Sequence, residues 1–260
     1  MGLNEPLWKQ YVTFLADLAR GDLGKSLITG KPISEQIRFV LPYTLELTVA
    51  AILVGLALGV PIGVITAVRR NTAVDDAGRV LSLVGLSLPA FYLGIVLMFV
   101  FAVKLGMLPS VGAASFSQLG KHLQHLILPA LALGLIETAY MARMTRSVMI
   151  GILSDDFVRT ARAKGLTERT VLIRHGLRAG LIPIVSLTGI FAISLIGSSV
   201  VVEEVFARPG LGKLMVGATK QRDYTALQSI MVVYALIIVV INLLTDIVYT
   251  FVDPRVRLHA

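Results

Sequence analysis

The chain has 260 residues, 55% of them hydrophobic and only 15% charged. Soluble domains carry about 25% charged residues, so this balance excludes an ordinary water-soluble domain. The formal net charge of +8 forms no continuous basic stripe, which argues against a nucleic-acid partner, and with no cysteine there is neither a disulfide framework nor a thiolate metal site.

Residues 1–42 carry Lys9, Arg20, Lys25, Lys31 and Arg38 and lack the apolar core of an export signal. Gly24-Lys25-Ser26 imitates the end of a phosphate-binding loop. The full pattern needs a glycine where Ala19 stands, and no buried strand precedes it. Arg208-Pro-Gly-Leu-Gly-Lys213 fails for want of a following Ser or Thr. This chain is therefore not expected to hydrolyse ATP, and no bound cofactor is expected.

Five apolar blocks follow, at 43–68, 80–103, 126–150, 180–202 and 226–252. A span needs roughly 20 residues, so each block is long enough to cross a bilayer. The expected fold class is an all-α polytopic membrane protein with five transmembrane helices. In the first block Gly55, Gly59 and Gly63 recur every four residues and let another helix approach closely, while Pro61 invites a bend. Pro89 invites a kink in the second.

Two acids stand out within apolar sequence, Glu137 in the third block and Asp246 in the fifth. An ionised carboxylate facing lipid is costly, so both are expected to face protein or a water-filled cavity. Glu137 either lines the route of a basic or amine-bearing substrate or pairs with Arg143 or Arg146. Asn242 precedes Asp246 by four residues and shares its helix face. His122 and His125 have a pair's spacing but fall in the connection 104–125, with no acid or cysteine beside them, so no metal site is expected.

The connection 155–179 carries Arg159, Arg162, Lys164, Arg169, Arg174 and Arg178, which places it in the cytoplasm by the positive-inside rule. Alternation puts 69–79 and the tail 253–260 on the same side. The inner connections and tail then hold 11 Lys or Arg, against 6 in the two outer loops. This topology sends the basic segment 1–42 outside with nothing ahead of it, which leads to the expectation of a further transmembrane helix upstream; the alternative is a five-span protein whose N-terminus follows the later helices across. Within 155–179, a polar helical stretch ends at Gly165 and a second begins after it. Such an element either docks a soluble partner or lies at the membrane surface, where its basic residues meet anionic lipid.

The run Asp156-Phe-Val-Arg-Thr-Ala-Arg-Ala-Lys-Gly-Leu166 closely resembles the loop of permease subunits of ABC importers. The subgroup is that of dipeptide, oligopeptide and nickel transport, which includes glutathione permeases. Arg143-Met-Thr-Arg-Ser147, Arg174-His-Gly-Leu-Arg178 with Pro183, Val202-Glu-Glu-Val-Phe206 with Pro209-Gly-Leu-Gly212, Arg222-Asp-Tyr224 and Asp253-Pro-Arg255 carry the likeness along the chain. So do Gly2-Leu-Asn-Glu-Pro6 and Arg20-Gly-Asp-Leu-Gly24, which look like the external segment after the family's first helix. The general family loop opens Glu-Ala-Ala; here Arg159, Thr160 and Ala161 occupy those places, so that pattern is met only in part.

The resemblance implies a multi-pass subunit of a bacterial or archaeal plasma membrane, its N-terminal segment outside and its C-terminus in the cytoplasm. A second homologous permease would complete the path, two cytoplasmic ATPases would supply the energy, and an external binding protein would deliver a peptide. Nickel or glutathione import by the same machinery is the alternative, and a non-transporting membrane scaffold or truncated remnant is the rival from another class. In this picture 156–165 is the coupling helix, with Asp156, Arg159, Thr160, Ala161, Arg162, Lys164 and Gly165 meeting the ATPase.

Overall fold

A computed structural model describes residues 5–252. Helix α1 (Leu7–Ala19) starts after Pro6 and buries none of its residues. A loop leads to α2 (Ile33–Val68), which begins after Pro32 and continues through Pro42 and Pro61. It starts ten residues before the predicted span at 43. Ile33, Ile37 and Val40 recur at helical spacing and are buried against Leu211, Ala218 and Ile230, so packing extends the helix through its polar first turns.

The second block is sharply broken. Helix α3 (Ala73–Ser87) and α4 (Ala90–Leu97), prolonged by a π-helical stretch at Met98–Lys104, meet at a bend of 99°. Proline excludes its predecessor from the helical region, and Leu88 accordingly sits extended at φ −93° and ψ 127°.

Helix α5 (Leu119–Leu153) has 35 residues, about 52 Å at 1.5 Å per residue, more than a bilayer core needs. It also takes in His122 and His125, which the sequence assigned to an outer loop. Then come α6 (Asp156–Ala163) and the short α7 (Glu168–Thr170), which passes through a π-helical stretch, Val171–Leu177, into α8 (Arg178–Val205). The predicted outer connection contains another helix, α9 (Leu211–Lys220), before α10 (Tyr224–Val252) closes the described chain.

Among the described residues, four helices are long and apolar enough to cross a membrane, and the bent pair α3–α4 makes a fifth if counted as one span. Helix α5 is the axis of the bundle: 67% of its most apolar window is buried, against 6% for α10, which lies at the periphery. The main core joins Leu47 and Ala51 of α2, Leu128 and Leu133 of α5, and Val202 and Phe206 around the end of α8. Where α2 crosses α5 the glycines set the distance. A Cβ at Gly59 would fall 2.5 Å from Met141 Cβ and one at Gly63 would fall 2.6 Å from Thr145 Cβ, while one at Gly55 would enter the Glu137 side chain. Small residues at this spacing let two backbones approach without side chains between them.

Candidate translocation and coupling sites

Three polar constellations lie along the bundle, one at each end and one near the middle.

At the end that carries α6, the chain turns at Ser154 and Asp155 and enters an eight-residue helix. Val158 and Ala161 are buried against Val171, with Ile152 and Leu153 packed beside them, so α6 is held to the tip of α5 and to the π-helical turn. Asp156, Arg159, Thr160, Arg162, Lys164 and Gly165 are exposed, and so are the apolar Phe157 and Leu166. Of the seven residues assigned to coupling, Ala161 alone faces inward and anchors the helix. Arg162 forks onto Glu168, with Nε 2.7 Å from Oε1 and Nη2 3.3 Å from Oε2, which ties α6 to α7 across the turn. Gly165 adopts φ +77°, the left-handed conformation that ends a helix without penalty only for glycine, and the space around it is open. Its requirement is therefore conformational and not steric.

Beside this element, Arg146 near the end of α5 reaches Asp75 in the first turn of α3. Nε lies 2.6 Å from Oδ1 and Nη2 lies 2.8 Å from Oδ2, and Asp75 also accepts the backbone N–H of Asn71. The two-bond fork fixes orientation as well as distance. Arg143 is exposed. Neither arginine pairs with Glu137, so that expectation fails: the fork on Asp75 has taken Arg146.

At the opposite end, Glu203 near the end of α8 organises α9. Its carboxylate accepts the backbone N–H groups of Gly212 at 2.8 Å and Lys213 at 3.2 Å, and the Thr44 hydroxyl at 2.7 Å. Helix N-termini leave such N–H groups unpaired and carry partial positive charge, so a carboxylate is the natural partner. Next to it, Arg208 is fully buried, donates to Glu46 at 2.9 Å and stands over the Tyr43 ring at 5.4 Å. Burial pushes its guanidinium pKa down, against the attraction of Glu46 and Glu203. His122 completes the group: its Nε2 lies 2.7 Å from Glu46 and its Nδ1 2.9 Å from the Ala114 carbonyl. The histidine is thus a buried structural partner. Sequence reasoning missed Glu46, Asp75, Glu203 and Arg208. The Val-Glu-Glu-Val-Phe and Pro-Gly-Leu-Gly runs were the available signal, since one holds the carboxylate and the other the N–H groups that it binds.

The loop before α2 is fastened to the same end. The Ser26 hydroxyl donates to Asp223 at 2.5 Å, the backbone N–H groups of Leu27 and Ala226 also donate to that carboxylate, and the Ser229 hydroxyl donates to the Leu23 carbonyl at 2.7 Å. Burial alone would raise the Asp223 carboxyl, but the Ser26 hydroxyl and the backbone donors outweigh it and hold the pKa below its ordinary value.

Midway along α5, Glu137 is buried at 4% exposure, and its Oε1 has no hydrogen-bond partner among the described residues. It borders a cavity of about 210 Å³ between the α3–α4 break, α5 and α8. Asn242 and Asp246 are both exposed on α10 and do not join this cavity. Among the described residues no cluster of His, Asp and Glu is suited to a metal ion.

A bundle of membrane-length helices with a proline-broken span and an anchored polar helix at one end defines a multi-pass membrane protein. Residues 59–258 match the family described as binding-protein-dependent transport system inner membrane component, and this chain belongs to that family. The glutathione transport system permease protein GsiC of Salmonella typhi is 41% identical over 257 residues, covering 99% of this chain and 82% of that protein. The oligopeptide transport system permease protein AppB of Bacillus subtilis is 41% identical over 260 residues, with 98% and 82% covered. The dipeptide transport system permease protein DppB of Alkalihalophilus pseudofirmus is 38% identical over 278 residues, with 99% and 84% covered. Among solved structures, a chain of the inward-facing MetNI methionine ABC transporter superposes with TM-score 0.67 at 21% identity, over 84% of this chain and 96% of that one. A chain of an amino acid ABC transporter gives 0.59 at 17% identity, over 91% and 97%. These structures share the fold.

Proposed function

We propose that this chain forms half of the transmembrane path of an ATP-driven, binding-protein-dependent peptide importer, and that α6 is the element through which an ATPase moves it. The observation that carries the reading is the build of α6. Val158 and Ala161 lock it to the end of α5, the central helix, while its outward face presents Phe157, Arg159, Lys164 and Leu166. A push on that face reaches the axis of the bundle as a rigid-body displacement. The Arg146–Asp75 fork passes the same displacement to α3 and the bend beyond it.

In this reading the α6 end is cytoplasmic and the α9 end faces outward, in keeping with the concentration of Lys and Arg in 69–79 and 155–179. The partners are a second, similar permease, two ATPases and an external binding protein. The three relatives named above are described as permeases for glutathione, oligopeptides and dipeptides. Glutathione is itself a small peptide, so one substrate class covers all three, and we assign peptides to this chain.

The test is co-purification from the native membrane in mild detergent, with the recovered proteins identified by mass spectrometry. Recovery of an ATPase and a second permease is the expected result. Recovery of the chain alone, from membranes where those proteins are present, would contradict the proposal.

A further inference from the structure

Glu137 lies 18 residues from the start of α5, about 27 Å along the helix and so close to its middle. A carboxylate at this depth is costly unless something compensates it. Among the described residues nothing does. Arg146 is committed to Asp75, Arg143 is exposed, no Lys, Arg or His lines the cavity, and Oε1 is a buried acceptor without a donor.

The rest of the cavity wall suits a small cation. Tyr140 and Phe191 pack with ring centroids 4.8 Å apart and planes tilted by 37°, offering aromatic surface beside the carboxylate. Ser194 and Ser198 of α8 also line the cavity, and Ser198 spends its proton on the Ser194 carbonyl at 3.0 Å, leaving its oxygen lone pairs as acceptors. Both serines are exposed in the middle of an apolar helix, with Gly197 between them, so this stretch of α8 offers a polar wall where lipid would favour an apolar one. At about 210 Å³ the cavity is smaller than the roughly 300 Å³ at which pockets for whole ligands begin, so it takes one end of a larger molecule.

We infer that the cavity bordered by Glu137, Tyr140, Phe191, Ser194 and Ser198 receives the protonated amino terminus of the peptide in transit, with Glu137 as its counter-ion. The inference rests on the peptide-importer reading and adds a recognition site within the path. A free α-ammonium carries three donors, enough for the carboxylate and the two serine oxygens, while an acylated terminus carries one amide donor and no charge.

The experiment uses the complete importer in proteoliposomes, supplied with its binding protein. Uptake of an alanine tripeptide is compared with uptake of its N-acetylated form, and the Glu137→Gln to wild-type ratio is taken for each peptide, so the binding protein's own preference cancels. The expected result is a ratio lowered about tenfold for the free tripeptide, in line with loss of a charge-assisted hydrogen bond, and unchanged for the acetylated one. Equal slowing of both peptides, or of neither, overturns the inference and leaves the importer reading standing. Uptake of neither peptide by the wild-type complex overturns the peptide reading and the inference with it. Glu137→Asp, which keeps the charge, guards against an assembly defect in the amide variant. It must retain the wild-type preference for the free terminus, and loss of that preference counts against the counter-ion role.

Discussion

Arg146 holds Asp75 with two parallel hydrogen bonds of 2.6 and 2.8 Å, joining residues 71 positions apart at the end of the bundle that carries α6. Asp75 is fully shielded from solvent and Arg146 is mostly so. Removing one partner leaves a shielded charge alone, which is the costly way to break such a pair, while removing both is milder. Arg146→Gln is therefore expected to lower the unfolding temperature of the purified chain in detergent. Combining it with Asp75→Asn should recover part of the loss. A double variant as unstable as the sum of the two singles would show that the fork contributes nothing.

Glu203 acts as the N-terminal cap of α9. Replacing it with Ala removes the acceptor for Gly212, Lys213 and Thr44 together. Each buried donor left unsatisfied costs about 1–3 kcal/mol, so α9 is expected to loosen well before the bundle unfolds. Hydrogen exchange across 211–220 is the direct measurement. Exchange should quicken sharply in Glu203→Ala and less in Thr44→Val, which keeps the Gly212 and Lys213 bonds to Glu203 but loses the Thr44 hydroxyl that donates to Glu203 and accepts from the Leu211 N–H.

Gly165 needs φ +77° and has open space around it. A β-branched residue there is strained by roughly 1–3 kcal/mol, which would tilt or unwind the end of α6 while leaving membrane insertion intact. Gly165→Val is expected to raise the ATP hydrolysed per peptide transported. Gly165→Asn should do so less, because Asn tolerates the left-handed region. Unchanged coupling in the valine variant would argue against the role of α6.

The Ser26–Asp223 tie has a defined pH dependence. The folded carboxyl titrates below the ordinary aspartate value of 3.8, so its stabilising contribution is present above that value. It is lost as pH falls through the lower, folded value. Hydrogen exchange of the amides at 26–30, corrected for the intrinsic pH dependence of exchange, should therefore stay slow at neutral and mildly acidic pH and quicken only in strong acid. In Asp223→Asn the corrected exchange should be faster at neutral pH and largely independent of pH.

The α2–α5 contact could be read from the order of residues because it depends on a local repeat: Gly55, Gly59 and Gly63 return to one helix face whatever they meet. The position of Glu137 inside an apolar block was equally plain. Its lack of a partner was not, since Arg146 is a reasonable candidate until Asp75 is brought beside it by the turn between α2 and α3. The bend at Leu88-Pro89 was visible as a kink, but its size is set by packing on α5 and α8, which no local pattern encodes. Glu203 was hidden for a different reason. Thr44, which it accepts from, lies 159 residues earlier, so only the folded chain reveals the cap. Asn242 and Asp246 are both exposed on α10, so what Asp246 faces is set beyond the contacts of the described residues. Helical spacing correctly put them on one face without saying which way the face points. The motif at 253–255 lies outside the described residues.

The most direct test of the central claim is peptide accumulation in proteoliposomes containing this chain, the second permease, the two ATPases and the binding protein, with and without ATP. Inward accumulation of peptide that requires ATP, this chain and an intact α6 is the expected result. Accumulation that persists when this chain is omitted, or ATP hydrolysis that proceeds without any peptide uptake in the complete assembly, would contradict it.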